Sequence, residues 1–197
     1  MKSRLSILLA ICAVTQLPTP AAAQRGFVGL GAGGSVIDLS TEQTEPHSRP
    51  SSTLRVGYGG QRVKVVLDWQ RHGWGDDQVL TSDYQNGVQT RYPEVLRTDF
   101  LLLGAQINVV SGLYVRPMVG IGGLGAPAYS VPDGMNAESA EVQLRGAIAA
   151  GLSAGYLLRL HSRFALAIEA SALRGSAVEG DERRTIIGFQ VVPLLGF

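Results

Sequence analysis

The segment Thr185-Ile-Ile-Gly-Phe-Gln-Val-Val-Pro-Leu-Leu-Gly-Phe197 constrains the fold more than any other. Every second residue, Ile187, Phe189, Val191, Pro193, Leu195 and Phe197, is apolar, and Gly188, Gln190 and Gly196 fall between them. A period of two puts the apolar set on one face of an extended strand and is incompatible with a helix, whose period is 3.6. Chain ends are usually polar and frayed. A strand that stays apolar to its last residue therefore needs both a sheet to pair with and an apolar phase to face.

The same alternation recurs upstream. It predicts strands over residues 26–39, 53–59, 62–71, 96–109, 113–129, 141–158 and a seventh around Phe164 to Ser171, before the eighth at 185–197. In the third, Val63, Val65, Leu67 and Trp69 alternate with Lys64, Val66, Asp68 and Gln70. The connections alternate too. Gly60-Gln61, Ser111-Gly112 and His161-Ser162 mark short turns. Residues 40–52 with Pro46 and Pro50, 72–95, the stretch around Pro132-Asp133-Gly134, and 178–183 mark longer polar loops. Within 72–95, the Asn86-Gly87 pair signals a hairpin that extends the flanking strands.

Composition narrows the compartment. Lys2 and Arg4, an apolar run from Leu5 to Val14, and Ala21-Ala22-Ala23 have the three parts of a cleaved secretory signal, which predicts a mature domain over residues 24–197. The apolar run is shorter than the roughly 20 residues that a spanning helix needs. Without Lys2 and Arg4, fifteen basic residues face sixteen acidic ones, a balance that points away from a nucleic-acid partner. The single cysteine, Cys12, lies in the signal, which predicts neither disulfide nor thiol chemistry in the mature domain. Twenty-five glycines and short alternating runs argue for an all-β chain.

Together the signal, the alternating strands, the short-long connections and the terminal Phe197 resemble the small outer-membrane barrels of the OmpA/OmpX type, including porin-like and opacity-like proteins of the Gram-negative cell envelope. The resemblance implies an eight-stranded antiparallel up-and-down transmembrane β-barrel with short periplasmic turns and long external loops. It further implies that Phe189, Val191, Leu195 and Phe197 form an assembly signal for the barrel assembly machinery, and that the partners are outer-membrane lipid and lipopolysaccharide around a monomer.

In such a barrel the apolar face meets lipid and the alternate face lines the lumen, the inverse of a soluble lipocalin-like barrel. The alternate positions hold Arg55, Lys64, Asp68, Gln106, Arg116, Gln143, Arg145 and Glu169 among small residues, which suits a narrow polar lumen. A turn near residue 61 sets Arg55 across from Asp68, and one at Ser111 sets Arg116 across from Gln106. Arg55, Lys64, Asp68, Gln106, Arg116, Arg145 and Glu169 are accordingly the expected ionic network of the lumen. Aromatic girdles are expected at Trp69, Trp74, Tyr84 and Tyr92 on the outer side and at Phe27, Phe164 and Phe197 on the periplasmic side. Small residues at Gly120, Gly122, Ala147, Ala149 and Gly151 leave room for a partial cavity.

Catalytic patterns are weak. His161, Ser162 and Glu169 would have to serve a lipid deacylase from a periplasmic turn, the wrong side for an outer-leaflet substrate, and His72 with Asp76 and Asp77 reads as a solvated loop. No zinc, calcium or phosphate-loop pattern occurs, so neither metal nor cofactor is expected. Arg49, Arg71 and Arg91 are placed to meet lipopolysaccharide phosphates at the outer rim. The expected function is a non-enzymatic barrel with a plugged lumen and four external loops for surface interaction or envelope integrity. The alternatives are a narrow pore or carrier of small hydrophobic molecules and, last, a lipid-modifying enzyme.

Overall fold

The computed structural model describes residues 26–38, 46–73, 78–85, 88–95, 97–110, 112–127, 142–180 and 182–197. Residues 1–25 and Ser111 are among those outside them. Ten strands occur among the described residues: β1 Gly26–Asp38, β2 His47–Gly59, β3 Val63–His72, β4 Gln78–Gln85, β5 Val88–Val95, β6 Thr98–Val110, β7 Leu113–Pro127, β8 Val142–Arg159, β9 Phe164–Ala177 and β10 Arg183–Gly196. Eight close into a barrel in the cyclic order β1-β10-β9-β8-β7-β6-β3-β2, and β4 pairs with β5 as a separate hairpin. All pairings are antiparallel. The start of β1 and the C-terminal residue close the barrel: Gly26 N–H donates to the Phe197 carbonyl and Phe197 N–H to that of Gly26, each at 3.0 Å.

The start of β1, the end of β10 and the short connections β2–β3, β6–β7 and β8–β9 share one end, here the turn end; the longer connections share the other, the loop end. The loop after β1 is shorter than expected, because β2 begins at His47 rather than at residue 53. Pro50 is tolerated there because its carbonyl still accepts a hydrogen bond, from Gly73 N–H at 2.9 Å, although its ring nitrogen donates none. The stretch 78–95, read as a loop with strand extensions, is a hairpin in register from Gln78↔Val95 to Gln85↔Val88.

Alternation sorts the side chains. Outward, Leu30, Val65, Leu67, Leu103, Val119, Ile121, Ile148, Leu152, Ile187 and Phe189 stand exposed as an apolar belt around the barrel. A belt of this kind has no place in water and is what lipid solvates. Tyr58, Tyr156 and Phe164 are exposed near the turn end, where an aromatic girdle sits. Phe27 does not join them: it is buried in the lumen, its ring resting where a Cβ on Gly57 would be. The side chains of Trp74, Tyr84 and Tyr92 lie outside the described residues.

The lumen is layered rather than uniformly polar. At the turn end Phe27, Val66, Ala167, Val192 and Leu194 form one buried apolar cluster. Toward the loop end Phe100, Leu102, Met118, Leu124, Leu173 and Ile186 form another with Ala147 and Ala149. Phe100 and Leu173 occupy the space over Gly122 and Gly151, so the expected gap beside these small residues is filled by large ones. Alternation counts only which face a residue takes, and buried interiors take apolar side chains as readily as paired charges.

Candidate functional site

Between the two apolar clusters lies a sheet of buried charge. Register places Arg55 on β2 opposite Asp68 on β3, as the turn at residue 61 requires. On the far wall Arg116 of β7 faces Ser153, and Glu169 of β9 faces Gly155. Pairs on either side, Gly104↔Met118 and Ile107↔Val115, set Gln106 of β6 opposite Arg116. Inward-pointing side chains on these strands then meet across the lumen.

Arg55 is the hub. Its Nη1 and Nη2 donate to Glu169 Oε2 and Oε1 at 3.0 and 2.9 Å, and its Nη2 also reaches Asp68 Oδ2 at 2.9 Å. Arg116 Nη2 completes the square, 2.6 Å from Glu169 Oε1 and 2.9 Å from Asp68 Oδ2. Asp68 accepts further hydrogen bonds from Thr53 Oγ1 and, at 2.9 Å, from Gln70 Nε2. Tyr114 donates its hydroxyl to Glu169 Oε2 at 2.6 Å. All four charged side chains are at most 2% exposed, and two cations balance two anions. Such a set persists in a dry interior only because each charge is both paired and hydrogen-bonded.

Glycine makes room for it. A Cβ at Gly155 would lie 2.6 Å from the Tyr114 ring and hydroxyl, so the absent side chain is what lets the phenol lie across β8 and reach Glu169.

Three expected members stand apart. Lys64 is half-buried opposite Gln106 at the turn end, four residues below Asp68, or about 13 Å along the strand. Gln106 is buried beside Arg116, but its amide donates to Asn108 Oδ1 at 3.1 Å. Arg145 is exposed at the loop end opposite Leu124, eight residues from Ser153 and so about 26 Å up β8. Lys64 and Arg145 have the expected parity and the wrong height, whereas Gln106 has both right and turns its amide away. The Gln143 and Arg91 side chains lie outside the described residues.

Sequence reasoning left out Tyr114, Thr53 and Gln70, although each alternates in step with Arg116, Arg55 or Asp68. It also missed Arg184, 1% exposed, which crosses the loop-end mouth. Arg184 pairs with Glu182 and donates to the Gly125 carbonyl at 2.7 Å and the Arg97 carbonyl at 3.3 Å, tying β10 to the opposite wall. His72, expected with Asp76 and Asp77 in a solvated loop, is instead buried in the lumen at the end of β3; Asp76 and Asp77 lie outside the described residues. Ser162 Oγ lies 3.2 Å from His161 Nδ1, both residues exposed at the turn end. Among the described residues no group of three metal-ligating side chains converges.

At the C-terminus Phe189 and Val191 are exposed to the belt, and Leu195 and Phe197 are half-buried, the Phe197 ring lying over Gly26.

No protein-family profile and no characterised protein matches the sequence. Solved structures do. Ail, the attachment invasion locus protein of Yersinia pestis, aligns over 88% of this chain and 100% of its own at TM-score 0.58 and 11% identity. The Neisserial surface protein A aligns over 87% and 97% at TM-score 0.57 and 11% identity. The fold is that of a small eight-stranded outer-membrane β-barrel. With its apolar belt, this fold puts the barrel in a bacterial outer membrane. A second structure of Ail, in complex with the heparin analogue sucrose octasulfate, aligns over 88% and 100% at TM-score 0.53 and 12% identity.

Proposed function

We propose that the protein is a closed, non-enzymatic outer-membrane barrel that acts through its outer rim and loops and not through its lumen. The observation that carries this reading is the Arg55–Asp68–Arg116–Glu169 layer between two apolar clusters. An eight-stranded barrel is only just wide enough for its own side chains. Here those side chains include a charge-balanced ion set, and an ion entering the lumen would have to break several charge-assisted hydrogen bonds to pass. Work is then left to the outer surface, whose partners we take to be lipopolysaccharide and whatever the loops contact, with the C-terminal strand presenting Phe189, Val191, Leu195 and Phe197 to the assembly machinery. Ail, with the same fold, was crystallised with a sulfated sugar, which supports a search for anionic surface ligands.

Planar-bilayer recording of the refolded protein tests the closed lumen. The expected result is no steady conductance in molar potassium chloride. A sustained unitary conductance that Glu169→Gln alters would replace this reading with the narrow pore.

A further inference from the structure

The outward face of the β3–β6 pair carries a second ionic group, unlike the lumen set in both charge and exposure. Arg71 Nε donates to Asp99 Oδ1 at 2.6 Å and its Nη2 to Oδ2 at 3.3 Å, while Arg97 Nε donates to the same Oδ2 at 2.9 Å. One carboxylate therefore holds two guanidinium groups, leaving a net charge of one positive. Arg71 also lies over the Trp69 ring, 5.1 Å from its centroid. The backbone beneath is fixed, because the Arg97 carbonyl accepts from Gly125 N–H at 2.7 Å.

Position gives the group a direction. Asp99 and Arg71 alternate in step with Leu101, Leu103 and Leu67, all exposed on the belt, so the cluster faces the lipid side and not the lumen. It sits at the loop end of β3 and β6, above that belt and beside a tryptophan, the level of outer-leaflet headgroups. The arginine side chains are 33% and 30% exposed and Asp99 only 13%, so the cations are presented and the anion is withdrawn. Asp99 uses two N–H groups of Arg71 and one of Arg97, out of five on each guanidinium.

We propose that Arg71 and Arg97, oriented by Asp99, form a phosphate-binding site for a phosphorylated lipid of the outer leaflet, whose acyl chains lie along Leu101 and Leu103. A guanidinium is suited to this because its fork matches phosphate oxygens and its weak hydration lowers the cost of leaving water. Asp99 is a positioning residue: by fixing both side chains before the ligand arrives, it removes rotamer freedom that binding would otherwise have to overcome. The site rests on the outer-membrane location and not on a closed lumen.

The test uses Trp69 as reporter, in a Trp74→Phe background that leaves it the only tryptophan. The folded protein in zwitterionic detergent is titrated with diphosphorylated lipid A, with the same lipid stripped of phosphate, and with inorganic phosphate. Saturable change in Trp69 emission is expected with the first, at least about tenfold weaker affinity for the second, and no saturation with millimolar phosphate. Arg71→Gln with Arg97→Gln should weaken lipid A binding about tenfold or more; Arg97→Gln alone serves if the pair does not fold. Arg174→Gln with Arg183→Gln, the same charge change on the opposite wall, should leave it unaltered.

Asp99→Asn discriminates most sharply. Simple attraction to a basic patch would tighten binding, because the patch gains a positive charge; an oriented pair requires binding to weaken. Tighter or equal binding by Asp99→Asn, equal affinity for the stripped lipid, saturation by inorganic phosphate alone, or no effect of the arginine changes would each overturn the proposal.

Discussion

Glu169→Gln is the most informative change to the lumen. The substitution keeps the shape of the side chain, so no cavity forms, but it turns a neutral layer into one with a buried positive charge. Four hydrogen bonds end on Glu169, two from Arg55, one from Arg116 and one from Tyr114. The amide retains one accepting oxygen and turns an NH2 group toward guanidinium donors, so part of the set faces donor against donor. Removing one partner of a buried pair costs about 3–5 kcal/mol. With a urea slope near 2 kcal/mol per molar, the unfolding midpoint should fall by about 2 M. The assay is equilibrium unfolding in phospholipid vesicles, followed by the loss of the heat-modifiable gel species. Arg116→Gln in the same chain restores neutrality, because one cation and one anion remain. The double variant should therefore lose less than the two single variants summed, by at least about 1 kcal/mol. A midpoint shift under 0.5 M for Glu169→Gln, or strict additivity in the double variant, would refute the view that the four charges act as one set (a bound of roughly 1 kcal/mol by the same slope).

Two further changes address the outer surface and the strand that closes the barrel. Val119→Arg puts a charge at a belt position that is 61% exposed. In a bilayer it should cost about 2–4 kcal/mol by vesicle unfolding, and a cost near zero would mean that this face meets water. Deleting Phe197 removes the ring over Gly26 and both hydrogen bonds that join Phe197 to Gly26. The heat-modifiable form in outer-membrane fractions should drop severalfold while a chain change at exposed Val178 leaves it unchanged, and equal yields would remove this residue from the assembly signal.

What could be read from sequence was parity, and what could not was height. A period of two assigns each residue to a face without knowing its neighbours, so the belt and the inward direction of Arg55, Asp68, Arg116 and Glu169 were legible. Short turns fix register across a hairpin, which is why the Arg55↔Asp68 pairing was also legible. Neither rule says how far up the barrel axis a residue lies, since strands tilt and long loops carry no register. Arg145 shows the consequence, sharing its face with Ser153 yet standing at the mouth. Proline misled the reading of β2 for a different reason: Pro46 and Pro50 read as loop markers, yet the strand runs through Pro50, whose carbonyl is taken up by Gly73.

The same distinction explains why the two ionic groups differ. In the lumen, space is limited on every side, so charges from four strands pair with one another and the group ends neutral. On the outer wall, Asp99 meets cations only from its own side of the sheet, and its two arginines keep donors turned away from it. A charge-balanced interior group supplies rigidity, because any rearrangement leaves a buried charge without its partner. An unsaturated surface group at headgroup depth supplies recognition, because its remaining donors gain by meeting an anion. Reversing those roles should fail in both places. Neutralising the lumen set weakens the barrel without altering lipid preference, and neutralising Arg71 and Arg97 alters lipid preference with less than about 1 kcal/mol lost in stability, as expected of partly exposed pairs.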